Sequence, residues 1–180
     1  MPESAEEAAT GQVIADQAAA QEAAATVHRL LREAGATVAT AESLTGGLIG
    51  AVLTGVAGAS ATYRGGAIAY ATDLKCGVLG VPRELLERQG AVDPDVARLM
   101  AIGVRDRCAA DFGLAVTGVA GPEPQDGRPV GLVYIAVAGP GGDQDVREFT
   151  FPGDRFQVRS STTLQALRMV ADLVKAFTGK

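Results

Sequence analysis

Three long stretches carry apolar residues at the three-and-four spacing of a helix, and short apolar runs bounded by glycine separate them. The first helical stretch runs from Val13 to Ala34, is rich in alanine, and stops at Gly35. The second, "DPDVARLMAIGVRDRCAA", puts Val96, Leu99, Met100, Gly103 and Val104 on one face. The third, "DRFQVRSSTTLQALRMVADLVKAF", does the same with Leu164, Leu167, Val170, Leu173 and Val174. Shorter helices are expected at Leu48–Thr54, after Thr72, and in "VPRELLERQG", where Pro82 sits near the start and Gly90 at the stop.

The runs between them read as strands: Thr37–Ala41, Tyr63–Ala71, "FGLAVTG", "VGLVYIAVAG" and "DVREFTFPG". The last two are joined by "PGGDQ", a hairpin signal. Helices alternating with strands, then a terminal hairpin, predict a three-layer α/β/α single domain with a mixed sheet. It should occupy residues 13–180, behind a frayed Ala/Glu-rich tail at 1–12. The segment from Gly118 to Pro129, "GVAGPEPQDGRP", is long for an ordinary connection.

Composition narrows this picture. The chain has 180 residues, which suits one domain better than two. Aromatics make up 4% and Trp is absent, so the core must be aliphatic, with alanine allowing helices to pack closely. A formal net charge of −5 argues against a broad nucleic-acid surface, though not against a small anion in a pocket with its own potential. No apolar run reaches the roughly 18 residues of a membrane span, and the N-terminus lacks a secretory pattern, so a cytoplasmic location is expected. Cys76 and Cys108 are expected to be reduced core residues.

His28 is the sole histidine and lies in a helical pattern, where a surface or interhelix role is its ordinary reading. A hydrolase that does not use it must find its base among Lys, Tyr, Asp or Glu. That constraint directs attention to "TAESLTGG", Thr40–Gly47, between a strand end and a helix start. Ser43 there suits a helix cap, its oxygen accepting from free amides. It also stands at the carboxyl edge of the sheet, where α/β proteins bind ligands. Thr45 is a second capping candidate and would leave Ser43 free. Gly46 and Gly47 remove side chains where a ligand meets the backbone, or simply let helix and sheet pack tightly.

A serine nucleophile needs a base. "YATDLK" offers one: Tyr70 ends a strand, Thr72 caps, and Lys75 falls in the first helical turn. A lysine working near pH 7–8 must be destabilised as an ammonium by roughly 3–5 kcal/mol, whereas a helix dipole supplies roughly 0.3–1 kcal/mol. Burial must supply most of the shift, with Tyr70 orienting the amine. The alternative is a solvated surface lysine.

Six segments now form a recognisable set: "TAESLTGGLIGAVLTGVAGAS", "YRGGAIAYATDLKCGVLGV", "LLERQGAVDPDVARLMAIGV", "LAVTGVAGP", "RPVGLVYIAV" and "FPGDRFQVR". In this order, from Gln21 to Phe177, they resemble the C-terminal domain of the competence/damage-inducible CinA proteins, whose stand-alone members include PncC-type nicotinamide-nucleotide amidases. The resemblance implies hydrolysis of nicotinamide mononucleotide to nicotinate mononucleotide and ammonia. It places the family's serine, tyrosine and lysine on Ser43, Tyr70 and Lys75, as nucleophile, orienter or proton relay, and base. It implies no metal or other cofactor, a small-molecule nucleotide as partner, no nucleic acid or membrane partner, and a homodimer.

Together with the physical argument, the resemblance gives roles to further residues. Gly118 and Gly121 would turn amides towards the carboxamide or ribose. Arg155 and Arg159, beside the start of the last helix, would hold the phosphate, or else are surface charges. Thr45, Gly46 and Gly47 would line the substrate.

This chain also departs from the family pattern. Leu44 replaces the usual Cys of ESCTGG; Ala71 and Thr72 replace the Ser and Asn of YSN-x-x-K; "AGPEPQDG" replaces AGPGG and brings in Glu123 and Asp126. Alternatives to the amidase reading are therefore a weak or inactive binding or assembly module linked to competence or DNA damage, and an amidase on another substrate. The N-terminal nucleotide-processing domain of longer members, and its activity, are expected to be absent.

Overall fold

The computed structural model describes residues 5–179. Helix α1 covers Ala5–Ala34, followed by strand β1 at Val38–Glu42, helix α2 at Leu48–Thr54 and strand β2 at Tyr63–Ile68. Three helices come next: α3 (Thr72–Gly77), α4 (Arg83–Gln89) and α5 (Pro94–Arg107). Strands β3 (Phe112–Gly118), β4 (Leu132–Ala138) and β5 (Gln144–Thr150) precede the last helix, α6 (Arg155–Thr178). The sheet order is β2-β1-β3-β4-β5. Strand β1 runs parallel to β2 and β3, while β4 is antiparallel to β3 and β5. The sheet is mixed and open, as expected, with the terminal hairpin formed by β4 and β5.

Both faces of the sheet are covered, which explains why β1, β3 and β4 are buried along their whole length. The two faces differ in side-chain size. Leu114, Val116, Val133 and Ile135 face α1, α2 and α6, meeting Leu31, Leu53 and Val170. Ala39, Ala41, Ala115 and Ala136 face α5 and its neighbours, meeting Val96, Met100 and Val104. Small residues on this second face let α5 approach closely. A Cβ at Gly113 would strike the Ala101 carbonyl, and one at Gly103 the Leu79 carbonyl.

Several expectations shift. Helix α1 begins at Ala5 rather than Val13, so the tail placed at 1–12 is helical over residues 5–12; residues 1–4 lie outside the described residues. Alanine and glutamate carry high intrinsic helix propensity, so the helix extends past its core-facing pattern. Strand β2 ends at Ile68, which leaves Tyr70 in the following loop. Thr72 is the first residue of α3 rather than its cap; Ala71 holds the cap position, with no side-chain hydrogen bond. Cys76 and Cys108 are free thiols but only half-buried.

His28 is fully buried, and both ring nitrogens are bonded. Nε2 donates to the Leu53 carbonyl at 2.9 Å, which leaves Nδ1 to accept from the Thr62 hydroxyl. It ties α1 to the α2–β2 connection and takes no part at Ser43.

Candidate active site

Parallel neighbours β1 and β2 end side by side, with Glu42 in register with Ile68. The segments that follow them must therefore meet at the carboxyl edge of the sheet. Ser43 comes from the first and Lys75 from the second. Lys75 Nζ donates to Ser43 Oγ at 3.1 Å and to the carbonyls of Ala69 (2.8 Å) and Tyr70 (3.4 Å). Lys75 is only 1% exposed, and no acidic group lies within ion-pairing reach of it among the described residues. Burial lowers its pKa from 10.5 to about 8, since desolvation penalises the ammonium and only neutral oxygens compensate.

Ser43 is free to act because another residue caps α2. Sequence reasoning divided the cap between Ser43 and Thr45; the structure assigns it to Glu42. Its carboxylate, 2% exposed, accepts from the amides of Gly47 (2.9 Å), Ile49 (3.1 Å) and Gly50 (2.8 Å). A buried carboxylate bonded by three amides at a helix N-terminus is compensated by both hydrogen bonds and dipole. The amides of Gly47, Ile49 and Gly50 are thus occupied and do not offer an open anion site at the start of α2. Glu42 is the residue beside the site that sequence reasoning missed. The available signal was a charged residue ending an otherwise apolar strand, six positions before a helix without a side-chain cap at its N-cap position.

Thr45 is fully buried, and its hydroxyl has no hydrogen-bond partner among the described residues. Gly46 and Gly47 have positive φ, 60° and 95°, which lets the chain turn sharply from β1 into α2. Their role here is conformational. The structure does not bring Thr45, Gly46 or Gly47 to the cavity beside Ser43.

That cavity measures about 130 Å³, with walls that include Leu44, Tyr70, Val92, Gly118, Gly121 and Arg155. Gly118 and Gly121 both lie in its wall. The amides of Ala120 and Gly121, in the same wall, donate to no acceptor among the described residues. Glu123 and Gln125 reach the cavity from the long loop.

Tyr70 is 55% exposed. It touches Lys75 through its backbone carbonyl, while its hydroxyl accepts from Arg155 Nη2 at 2.7 Å. The expectation that the phenol orients the amine is thus replaced by a carbonyl contact, because β2 ends two residues earlier. Arg155 also donates to the Gly121 carbonyl at 2.8 Å and is exposed at the cavity rim. Arg159, one helical turn on, behaves differently. Its Nη2 donates to the Thr45 carbonyl at 2.7 Å, so it braces the Ser43 turn and does not line the cavity. Among the described residues no group of three or more His, Cys, Asp or Glu is placed to hold a metal. No helix among them is long and apolar enough to cross a membrane.

Fold and site define an α/β protein with a buried serine–lysine pair at the carboxyl edge of a mixed sheet. The family model of the CinA C-terminal domain matches residues 20–174, and the chain belongs to that family. A CinA-like protein of Frankia casuarinae is 50% identical over 141 residues, 78% of this chain and 32% of that protein. A putative competence-damage inducible protein of Halothermothrix orenii is 48% identical over 141 residues, 78% of this chain and 34% of its own length. The match thus spans about a third of these curated relatives. Among solved structures, the competence/damage inducible protein CihA from Agrobacterium tumefaciens superposes with a TM-score of 0.83 at 38% identity, covering 86% of this chain and 95% of that one. A CinA superfamily protein from Escherichia coli gives 0.82 at 30% identity, covering 86% and 90%.

Proposed function

We propose that this protein is an amidohydrolase that deamidates a pyridine nucleotide, nicotinamide mononucleotide in the first instance, through Ser43 and Lys75. One observation carries the reading: the buried Lys75 amine donates to Ser43 Oγ at 3.1 Å and has a pKa of about 8. An ordinary lysine is almost wholly protonated at neutral pH, but one at about 8 is neutral in roughly a tenth of molecules at pH 7.

In the neutral form Lys75 takes the Ser43 proton as Oγ attacks the carboxamide carbon. The resulting ammonium returns that proton to the departing nitrogen, which leaves as ammonia, and an ester remains on Ser43. A water, deprotonated by Lys75, attacks the ester. Lys75 then reprotonates Ser43 Oγ, and the carboxylate is released. The unpaired amides of Ala120 and Gly121, in the same cavity wall, are candidates for holding the developing oxyanion.

A cavity of about 130 Å³ is small beside the roughly 300–1,000 Å³ that enclose a drug-sized ligand. It accommodates the carboxamide end of a nucleotide, with ribose and phosphate lying outward past Arg155. The test is ammonia release from nicotinamide mononucleotide by the unmutated protein and by Ser43→Ala. Release by the former and none by the latter, with unfolding free energy changed by less than about 0.5 kcal/mol, is the expected pair of results. Equal release by both would overturn the proposal.

A further inference from the structure

Two opposite charges border the cavity without pairing to each other. Arg155 is engaged by the Gly121 carbonyl and the Tyr70 hydroxyl. Glu123, exposed on the long loop, reaches the same cavity and forms no ion pair among the described residues. Tyr70, 55% exposed, lines the same cavity as Ser43 and both charges. A carboxylate and an aromatic side chain at the mouth of one small cavity suit a cationic ring, through direct charge attraction and the negative face of the aromatic ring. An arginine on the same rim suits an anionic group further out.

We infer that Glu123 is a specificity-determining residue that selects substrates whose carboxamide ring bears a positive charge. This rests on the amidase reading and deepens it: the preferred class is an N-substituted pyridinium carboxamide with a distal anion, as against a neutral aromatic amide. The quaternary ring nitrogen of nicotinamide mononucleotide is such a charge, and its phosphate is such an anion. Carboxamide, cation and anion would then meet Ser43, Glu123 and Arg155 in turn.

Glu123 is exposed, so its attraction is screened by solvent and is worth a small factor, about two- to fivefold in binding. The contact is equally present before and during attack on the carboxamide, so the effect belongs in KM with little change in kcat.

The experiment compares two substrates that differ only in ring charge: nicotinamide mononucleotide and its neutral carbon-linked isostere, benzamide riboside 5′-monophosphate. Each is assayed with the unmutated protein and with Glu123→Gln at low ionic strength, by ammonia release and, for the isostere, also by competitive inhibition. The expected result is a two- to fivefold rise in KM for the charged substrate with kcat held. Ki or KM for the neutral isostere should stay within experimental error, and 0.5 M salt should shrink the difference. A merely structural role for Glu123 would shift both ligands alike, and that outcome overturns the inference. Equal KM values for both proteins on the charged substrate overturn it as well, while leaving the amidase reading standing. No turnover of nicotinamide mononucleotide by the unmutated protein overturns both.

Discussion

The two turns that leave β1 and β2 lie side by side at one sheet edge, yet they treat a buried charge in opposite ways. After β1, the Glu42 carboxylate is met by three amides at the start of α2. After β2, the Lys75 ammonium is met by two carbonyls and a hydroxyl, with no counter-charge and with a helix of only six residues around it. The first arrangement stabilises a charge and holds a turn rigid. The second disfavours a charge and favours the neutral amine. On the reading proposed above, the nucleophile sits on the rigid side and its base on the side without a counter-charge.

The largest effects should come from the Lys75 side. Lys75→Arg keeps a long cation that cannot deprotonate at usable pH. It should be as inactive as Lys75→Met, each losing about 10²- to 10⁴-fold in kcat. Substantial turnover by the arginine variant would show that the lysine supplies only charge.

Next is the rigid side. Glu42→Ala strips three amides, that of Ile49 buried and those of Gly47 and Gly50 half-buried, of their acceptor and should cost about 2–4 kcal/mol in urea unfolding. Glu42→Gln, which retains one accepting oxygen, should cost about half as much. If either variant were as stable as the unmutated protein, the contrast between the turns would be lost.

A smaller effect has the opposite sign. Between pH 8 and about 10.5 the unfolded chain binds a proton that folded Lys75 has released, so stability rises with pH across that window. At about 1.4 kcal/mol per pH unit, the ammonium costs the fold about 3 kcal/mol at neutral pH. Lys75→Met should therefore be more stable than the unmutated protein at pH 7, by about 1–2 kcal/mol once the orphaned Ala69 carbonyl is set against the gain. The advantage should vanish above about pH 9 and give way to a deficit of about 1 kcal/mol at pH 10.5, where only the orphaned carbonyl remains. Denaturant melts of both proteins at pH 7 and pH 10.5 check this.

The two arginines give effects no larger than this and separate site from scaffold. Arg159→Ala frees the Thr45 carbonyl and should cost about 1–2 kcal/mol in stability, lowering kcat with it. Arg155→Ala, at the rim, should leave stability alone and raise KM for a phosphorylated substrate by about three- to tenfold. Reversed behaviour would exchange their roles.

Much of this was readable in the chain. The mixed sheet followed from helical and strand periods and the PGGDQ turn, since both are local signals. Ser43 and Lys75 stood out because each follows an apolar strand, and parallel neighbours bring their ends together. What could not be read was the use of hydrogen bonds between elements. Glu42 looked like the end of a strand, because the amides it satisfies lie five to eight residues further on and come into reach only after the turn closes. Thr45 and Thr72 looked like caps by residue type, but backbone geometry moved the cap positions to Gly47 and Ala71. Arg155 and Arg159 looked equivalent by spacing. One helical turn decides which meets the cavity and which meets the Thr45 carbonyl.

The central claim is that a neutral, buried lysine activates Ser43. The measurement that tests it most directly is the pH dependence of kcat/KM for ammonia release from nicotinamide mononucleotide, between pH 6 and pH 10. Activity requires the deprotonated amine, so it should climb tenfold per pH unit at the acid end and level off above an apparent pKa of about 8. A profile flat across this range, or one still rising near pH 10 as for an ordinary lysine, would contradict it.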